Sequence, residues 1–414
     1  MSEQQIVITA QSTADVVQAV SRAEQEGKGI TVVSGGHGLW SHQPDEGVRL
    51  ELTGLAEVSV GERLPDGTTR VSIGGGATWG GVARALADHG LAISSGDTSS
   101  VGVGGLTLGG GVGWMVRAWG LAADQLIGAQ VVTASGEVVE TSADRHPDLF
   151  WGLRGGGGNF GVVTRFDFSA HPLPRIGYAE YVVDGDAAAA LRAAREAMAV
   201  APREVTATYM DVPPMDPSAP AGARLSAVWA GDDVDALRSA LAAVEAQEGV
   251  SAEFSVPAYR EILLEMPAPE GEGPVPGFIG GNGLFAELDD ALIERLVAFR
   301  ASYPASVLFL RSLGGAFGEV AQEDTAFPAR HATWFVMAGG FDIPGLLDDE
   351  TRTAIAADWK AIEEQRIAEY GNFTSTESPE SVPGMFTAEA YARLRDLKRT
   401  WDPAGLFRRN HTIV

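Results

Sequence analysis

Short runs in which apolar and polar residues alternate dominate the first part of the chain. Ile6 to Thr9 reads as a strand. Ser12 with Asp15 three residues on is an N-cap signal for a helix that closes at Gly27. A second strand runs from Ile30 to Ser34, and further alternating runs follow at Arg49 to Leu52, Ala56 to Val60 and Arg70 to Ile73. A helix is expected from about Thr78 to His89. Beyond Pro172 and Pro174 the pattern changes. Helical spacing at about Ala187 to Val200, Val234 to Gln247 and Asp289 to Tyr303 alternates with strand signals at Val205 to Met210, Leu225 to Ala230 and Val307 to Arg311. In the last of those helices Leu292, Leu296 and Phe299 share a face. A final helix from Tyr391 is halted at Asp402–Pro403.

Three glycine clusters interrupt this pattern. SGGHGLW, residues 34–40, follows the second strand; GDTSSVGVGGLTLGGGVG spans Gly96 to Gly113; LFWGLRGGGGNFGVVTRF spans residues 149–166. The density in the second predicts neither helix nor ordinary strand, because each glycine adds roughly 0.5–1 kcal/mol of ordering entropy. Two explanations compete: a flexible linker, or backbone packed closely on a ligand. The interleaved Val101, Val103, Leu106, Leu108 and Val112 favour the ligand, since solvated linkers are rarely so apolar. Two Pro/Gly-rich stretches, from Pro213 and from Ala268, read as surface loops.

Composition narrows the chemistry. A chain of 414 residues with 45% hydrophobic and 21% charged residues is that of a multi-domain globular protein. A net charge of −25 repels phosphate backbones and anionic bilayers, so neither nucleic acid nor a membrane is an expected partner. The absence of cysteine excludes disulfides, thiolate catalysis and iron–sulfur or thiolate-zinc sites. Seven histidines show no metal-binding spacing, and His146 and His171, beside prolines, read as loop residues. MSEQQIVITAQS lacks a basic segment followed by an apolar stretch, which gives the expectation of a cytoplasmic protein.

Gly35 and Gly36 after a strand can turn their N–H groups toward an anion, as a pyrophosphate requires. The other two clusters repeat the demand for close backbone approach, which points to a large phosphorylated cofactor. None has the GxGxxG turn of a dinucleotide-binding Rossmann unit. Taken in order, SGGH at Ser34 to His37, VGVGGLTLGGGVG at Val101 to Gly113, RAWGL from Arg117 and LFWGLRGGGGNFGVVT at Leu149 to Thr164 resemble the FAD domain of the vanillyl-alcohol oxidase and p-cresol methylhydroxylase superfamily. With YARLRDLKRTWDPAGLFRRN they resemble its berberine-bridge-enzyme branch. The fold this implies is α+β: a two-part FAD-binding domain of the p-cresol methylhydroxylase type over residues 1–172, an α+β substrate domain with an antiparallel sheet over 173–368, and a segment, 369–414, that returns to the FAD domain.

The resemblance also implies site residues. His37 maps onto the histidine that bonds to the flavin 8α-methyl carbon, and Thr98 occupies the position of a cysteine that makes a second bond in many members, so one covalent bond is expected. Ser34, Gly35, Gly36, Gly38, Leu39, Gly96, Ser100, Val101, Gly104, Gly105, Gly109 and Gly111 would lie against the cofactor, with His42 orienting the first imidazole. Asn159, Gly161 and Val163 match the segment near adenine and flavin; Asn372 and Asn410 match polar side chains returned to the flavin from the tail. The implied reaction is hydride transfer from a substrate C–H beside oxygen or nitrogen to flavin N5, with molecular oxygen reduced to hydrogen peroxide. Tyr370 is the candidate base. Phe373 stands where carbohydrate-oxidising relatives carry another tyrosine, which favours an amine or an apolar small molecule. Tyr209, Glu261, Glu265, Arg311 and His331 are further candidates for substrate contact. A flavin dehydrogenase with another acceptor, and a flavin-bound scaffold without redox turnover, are the competing readings.

Overall fold

A computed structural model describes residues 5–38, 47–213, 222–265, 277–343, 345–374 and 380–414. Leu39, His42 and most of the two Pro/Gly-rich stretches lie outside them.

Three sheets organise the described residues. The first is a small parallel sheet of β1 (Ile6–Thr9), β2 (Ile30–Val33) and β3 (Val48–Glu51), with β3 central. The helix Thr13–Gln25 packs on it through Val16, Ala19, Val20 and Ala23, and Ser12 caps that helix by accepting from Asp15 N. The second is antiparallel, formed by β4 (Val58–Arg63), β5 (Thr69–Gly74), β9 (Val162–Pro172), β7 (Leu126–Val132) and β8 (Val138–Thr141), with the two-residue β6 (Leu91–Ala92) on β9. Thr78 caps the helix Trp79–Ala87 that covers this sheet.

The third sheet has seven antiparallel strands in the order β13 (Val250–Ser255), β10 (Gly177–Val183), β12 (Gly222–Trp229), β11 (Val205–Val212), β15 (Val307–Ser312), β16 (Trp334–Asp342) and β14 (Gly277–Phe285). Period-2 alternation divides its faces. Tyr181, Ala207, Tyr209, Leu225, Leu308, Leu310 and Val336 pack under the helices Ala187–Val200, Asp290–Ser302 and Asp349–Glu363. The opposite face looks toward the glycine-rich segments: Phe335, Phe309 and Met337 join Val112, Val116, Leu121 and Tyr370 in one apolar cluster. Between the layers, buried Arg117 donates to the carbonyls of Val205, Leu313 and Ala201.

Three expectations are corrected. The segment 96–113 contains a short helix, Val103–Leu108, whose start is anchored because Val103 N donates to Ala77 O and Gly102 sits against Gly35; tertiary contact overrides glycine's entropy there. The stretch Val234 to Gln247 is broken at Leu241 into Val234–Ala240 and Ala242–Glu245. His171 is no loop residue: it pairs with Ala92 at the end of β9, and its ring stacks on Trp119 at 4.3 Å.

Candidate functional site

The end of β2 delivers Ser34 and Gly35 directly onto the backbone of Gly102. A Cβ on Gly35 would overlap Gly102 N and come within 2.8 Å of Ser100 O; a Cβ on Gly102 would overlap Gly35 N and the Ser34 hydroxyl. Only glycine permits that approach. Gly36 takes φ +72°, a left-handed conformation, which turns the chain outward so that His37 is exposed and its Nε2 lies 3.0 Å from Ser100 Oγ. Gly38 follows at the edge of the described residues.

Immediately before Ser100, the segment 95–99 runs beside Leu264: Ser99 N donates to Leu264 O at 2.9 Å and Leu264 N donates to Asp97 O at 2.6 Å, so Thr98 forms a parallel bridge with it. Gly96 is buried against Leu106, and Val101 N reaches Thr98 O. In the helix Val103–Leu108, Gly104 faces Gly75 O, where a Cβ would stand 3.1 Å away. Gly105 differs. It is exposed in mid-helix and an added Cβ would meet nothing within 4 Å, so no protein atom requires glycine there.

After the helix, Gly109 abuts the Asn372 amide, and Gly110 and Gly111 adopt φ +120° and +88°. Their turn is fastened by Tyr370, which is buried to 2% exposure. Its hydroxyl oxygen accepts from Gly111 N at 3.0 Å, Val112 N at 3.3 Å and Asn372 Nδ2 at 2.9 Å. Asn372 Nδ2 also donates to Leu106 O at 3.0 Å, which fixes the amide's orientation. Burial pushes the Tyr370 phenol above its ordinary range, against the opposing pull of the donors. The ring packs on Phe327, Phe335 and Phe373. This is the setting of a brace for the glycine turn.

The third cluster meets the tail. Asn159, 1% exposed, donates to Gly156 O and His411 O and accepts from Ile413 N. Its polar groups are thus consumed within the chain. Gly161 packs on Val131, and Val163 is buried in β9, where its carbonyl excludes any side chain at Gly75. Asn410 lies over Gly158, and its Oδ1 is buried with no partner in the protein; the Ser34 hydroxyl is in the same condition. Burying such atoms unpaired is costly, so a ligand group is expected to satisfy them.

Of the remaining candidates, Arg311 is 1% exposed and makes a two-pronged ion pair with Asp97 (2.8 and 2.6 Å), while Glu265 accepts from Ser99 Oγ at 2.8 Å. Glu261 caps its own turn through Ala258 N, and His331 is exposed. Tyr209 is corrected: it sits under the helices on the sheet's far face, where burial raises its phenol, and it cannot contact a substrate held against the glycine segments. Sequence reading missed Asp97 and Lys398. The buried Lys398 ammonium donates to Asn159 O, Phe407 O and Asp402 Oδ2 at 3.0, 2.7 and 2.7 Å, knotting the last helix to the third glycine cluster. That it is one of only three lysines in the chain was the available signal.

The two walls together form a cradle of backbone amides on one side and an apolar sheet face on the other. Phe309, paired with Met210 and Met337, is part-buried on that face, and Phe373, 45% exposed, leans on Phe335 at 5.3 Å. Among the described residues no helix is long and apolar enough to cross a membrane and no group of side chains suits a metal.

Residues 4–142 match the family described as FAD binding domain, and residues 369–414 that described as berberine and berberine like. (R)-6-hydroxynicotine oxidase of Paenarthrobacter nicotinovorans is 39% identical over 165 residues, 40% of this chain and 35% of that protein, so the matched part spans about a third of the relative's length. An uncharacterized FAD-linked oxidoreductase of Bacillus subtilis, YgaK, aligns over 99% of this chain and 90% of its own length at 25% identity. The glucooligosaccharide oxidase of Acremonium strictum, solved in a study of its 6-S-cysteinyl, 8α-N1-histidyl FAD, superposes with a TM-score of 0.83 at 23% identity, covering 99% of this chain and 92% of that one. The fold is thus α+β, with an FAD-binding part of the p-cresol methylhydroxylase type. Both family matches fall in the places where the resemblance to the berberine-bridge-like branch of the vanillyl-alcohol oxidase and p-cresol methylhydroxylase superfamily puts them, the first over the FAD-binding part and the second over the last segment.

Proposed function

We propose that the protein is an FAD-linked oxidase of a small apolar substrate, with an amine preferred to an alcohol. The observation that carries the cofactor is Gly105: a helical glycine with open space where its side chain would be, beside the Gly35–Gly102 contact and the unpartnered Ser34 hydroxyl. Such a cradle fits a flat, phosphorylated group lying on backbone. In this reading Ser34, Gly35, Gly36, Ser100, Val101, Gly104 and Gly105 hold the pyrophosphate and ribose, Gly96, Thr98, Gly109 and Gly111 border the ring, and Asn159, Gly161, Val163 and Asn410 shape the opposite end. His37 is the covalent anchor, its Nε2 already beside Ser100 Oγ, and the Thr98 hydroxyl makes no second bond.

When bound, FAD supplies a two-electron acceptor for a substrate hydride, and oxygen restores it with release of hydrogen peroxide. The chain's own part is binding, orientation and exclusion of water. Met210, Phe309, Met337 and Phe373 offer an apolar surface to the substrate. Tyr370 is assigned as a positioning residue, because its oxygen already accepts three N–H groups and the ring is enclosed. With Phe373 unable to move a proton and Tyr370 enclosed, oxidation of a neutral amine, which needs no base on a hydroxyl, suits the site better than oxidation of a sugar.

Acid precipitation of the purified protein followed by peptide mass spectrometry tests the reading. A yellow pellet whose colour stays with the His37 peptide, and a His37→Ala variant that binds flavin but releases it in acid, are the expected results. A colourless protein that takes up no added FAD overturns the proposal.

A further inference from the structure

The five residues from Ser95 to Ser99 are fastened to the 173–368 side of the molecule by side-chain bonds from Ser95, Asp97 and Ser99 and by backbone bonds to Leu264. Ser95 Oγ lies 2.9 Å from Tyr259 Oη, in a pocket where burial pushes that phenol up to about 12. Both backbone bonds to Leu264 and the Ser99–Glu265 hydrogen bond add to it. Asp97 forms the centre. Its two carboxylate oxygens accept from Nη1 and Nη2 of Arg311, whose Nε donates to Thr208 Oγ1 at 2.9 Å, and whose guanidinium lies 4.6 Å from the Trp114 ring centroid and 5.3 Å from that of Phe309. All three guanidinium nitrogens are thus engaged, on β15, an interior strand of the seven-stranded sheet. A planar fork held so rigidly transmits the sheet's position to the carboxylate it grips.

We propose that Arg311, acting through Asp97, is the positioning residue for the wall that carries Thr98, fixing segment 95–99 against the flavin by a buried ion pair in a chain that has no cysteine to tether it covalently. The inference rests on the FAD reading above. An uncompensated buried charge is far more disruptive than an exposed one, so loss of either partner releases the segment.

The test uses the FAD-loaded protein and the variants Arg311→Met, Arg311→Lys and Asp97→Asn, with Arg300→Met as a control that breaks another part-buried ion pair, to Asp211, beneath the helices. Hydrogen exchange of the peptide spanning residues 94–102, the flavin absorption spectrum and the flavin reduction potential are measured beside the melting temperature. Arg311→Met and Asp97→Asn are expected to speed exchange in the segment more than about tenfold and to shift the flavin band and potential. Arg311→Lys, which keeps the charge and one hydrogen bond, should recover part of both. Arg300→Met should lower the melting temperature alone. The proposal is overturned if exchange and potential stay at wild-type values in Arg311→Met, or if Arg300→Met alters them equally. Should Arg311→Met not fold, Asp97→Asn and Arg311→Lys decide by the same readouts. A wild-type protein that binds no flavin defeats the cofactor reading; exchange in its segment then decides whether Arg311 holds the wall.

Discussion

The glycine cradle and the sheet that faces it enclose one site by opposite means. In the cradle the contact surface is backbone, and a single added carbon at Gly35, Gly102 or Gly113 collides with main-chain atoms that cannot yield. On the sheet the surface is side chain, and Met210, Phe309 and Met337 are flexible or part-exposed groups that another residue of similar volume can replace. One wall is therefore specified by what it forbids, and the other by an approximate volume and polarity. The cofactor, common to a whole superfamily, would meet the rigid wall; the substrate, which differs among relatives, would meet the permissive one.

The sharpest way to break this contrast is Gly113→Ala. Its Cβ would overlap Ser95 O, so a loss of about 4 kcal/mol or more is expected, seen as failure to recover folded protein. Tyr370→Phe should come next: it leaves Gly111 N and Val112 N buried without an acceptor, for about 2–3 kcal/mol in urea unfolding, with flavin uptake weakened as the turn loosens. An unchanged midpoint would show that the turn needs no brace. On the sheet, Met337→Leu should cost under about 1.5 kcal/mol while altering substrate KM more than flavin content. An effect as large as that of Gly113→Ala would erase the distinction between the walls.

A pH measurement sharpens the picture at the seam beside β9. Burial holds the His171 imidazole down at about 4, against an ordinary value of 6.5. Its contribution to stability is fully present above pH 6.5 and is lost as pH falls toward 4, because the unfolded chain takes up the proton first. Melting temperature should fall over that window, and His171→Phe, which keeps the stack on Trp119, should flatten the decline. The smallest stability effect belongs to Gly105→Ala. The helix should tolerate or gain from it by up to about 1 kcal/mol, yet the flavin content of the purified protein should drop. A variant that stays fully yellow would show that this glycine faces no ligand.

What could be read beforehand follows the same division. The glycine clusters were legible because their constraint is local and carried by one residue type. The helix Val103–Leu108 was not, since it depends on Ala77 and Gly35 supplying partners from elsewhere. Alternation located the strands of the large sheet, but nothing in it says which face meets the cofactor domain; Tyr209 and Phe309 are neighbours across a strand pair and point to opposite sides. The Asp97–Arg311 pair joins residues 214 positions apart; Arg311 was a candidate for substrate contact, but nothing in the sequence names Asp97 as its partner. Lys398 stood out only as one of three lysines, and its partners are split between Asn159 and the turn after the last helix.

That lysine has a consequence for how the protein is made. The loop containing Asn159 is held by Lys398 and by the backbone at residues 411 and 413, so a ribosome must add some 240 residues after the loop before those partners exist. At roughly 5–20 residues per second the half-finished pocket waits on the order of 10–50 s, and stable flavin capture is expected to begin only once translation has passed the final helix.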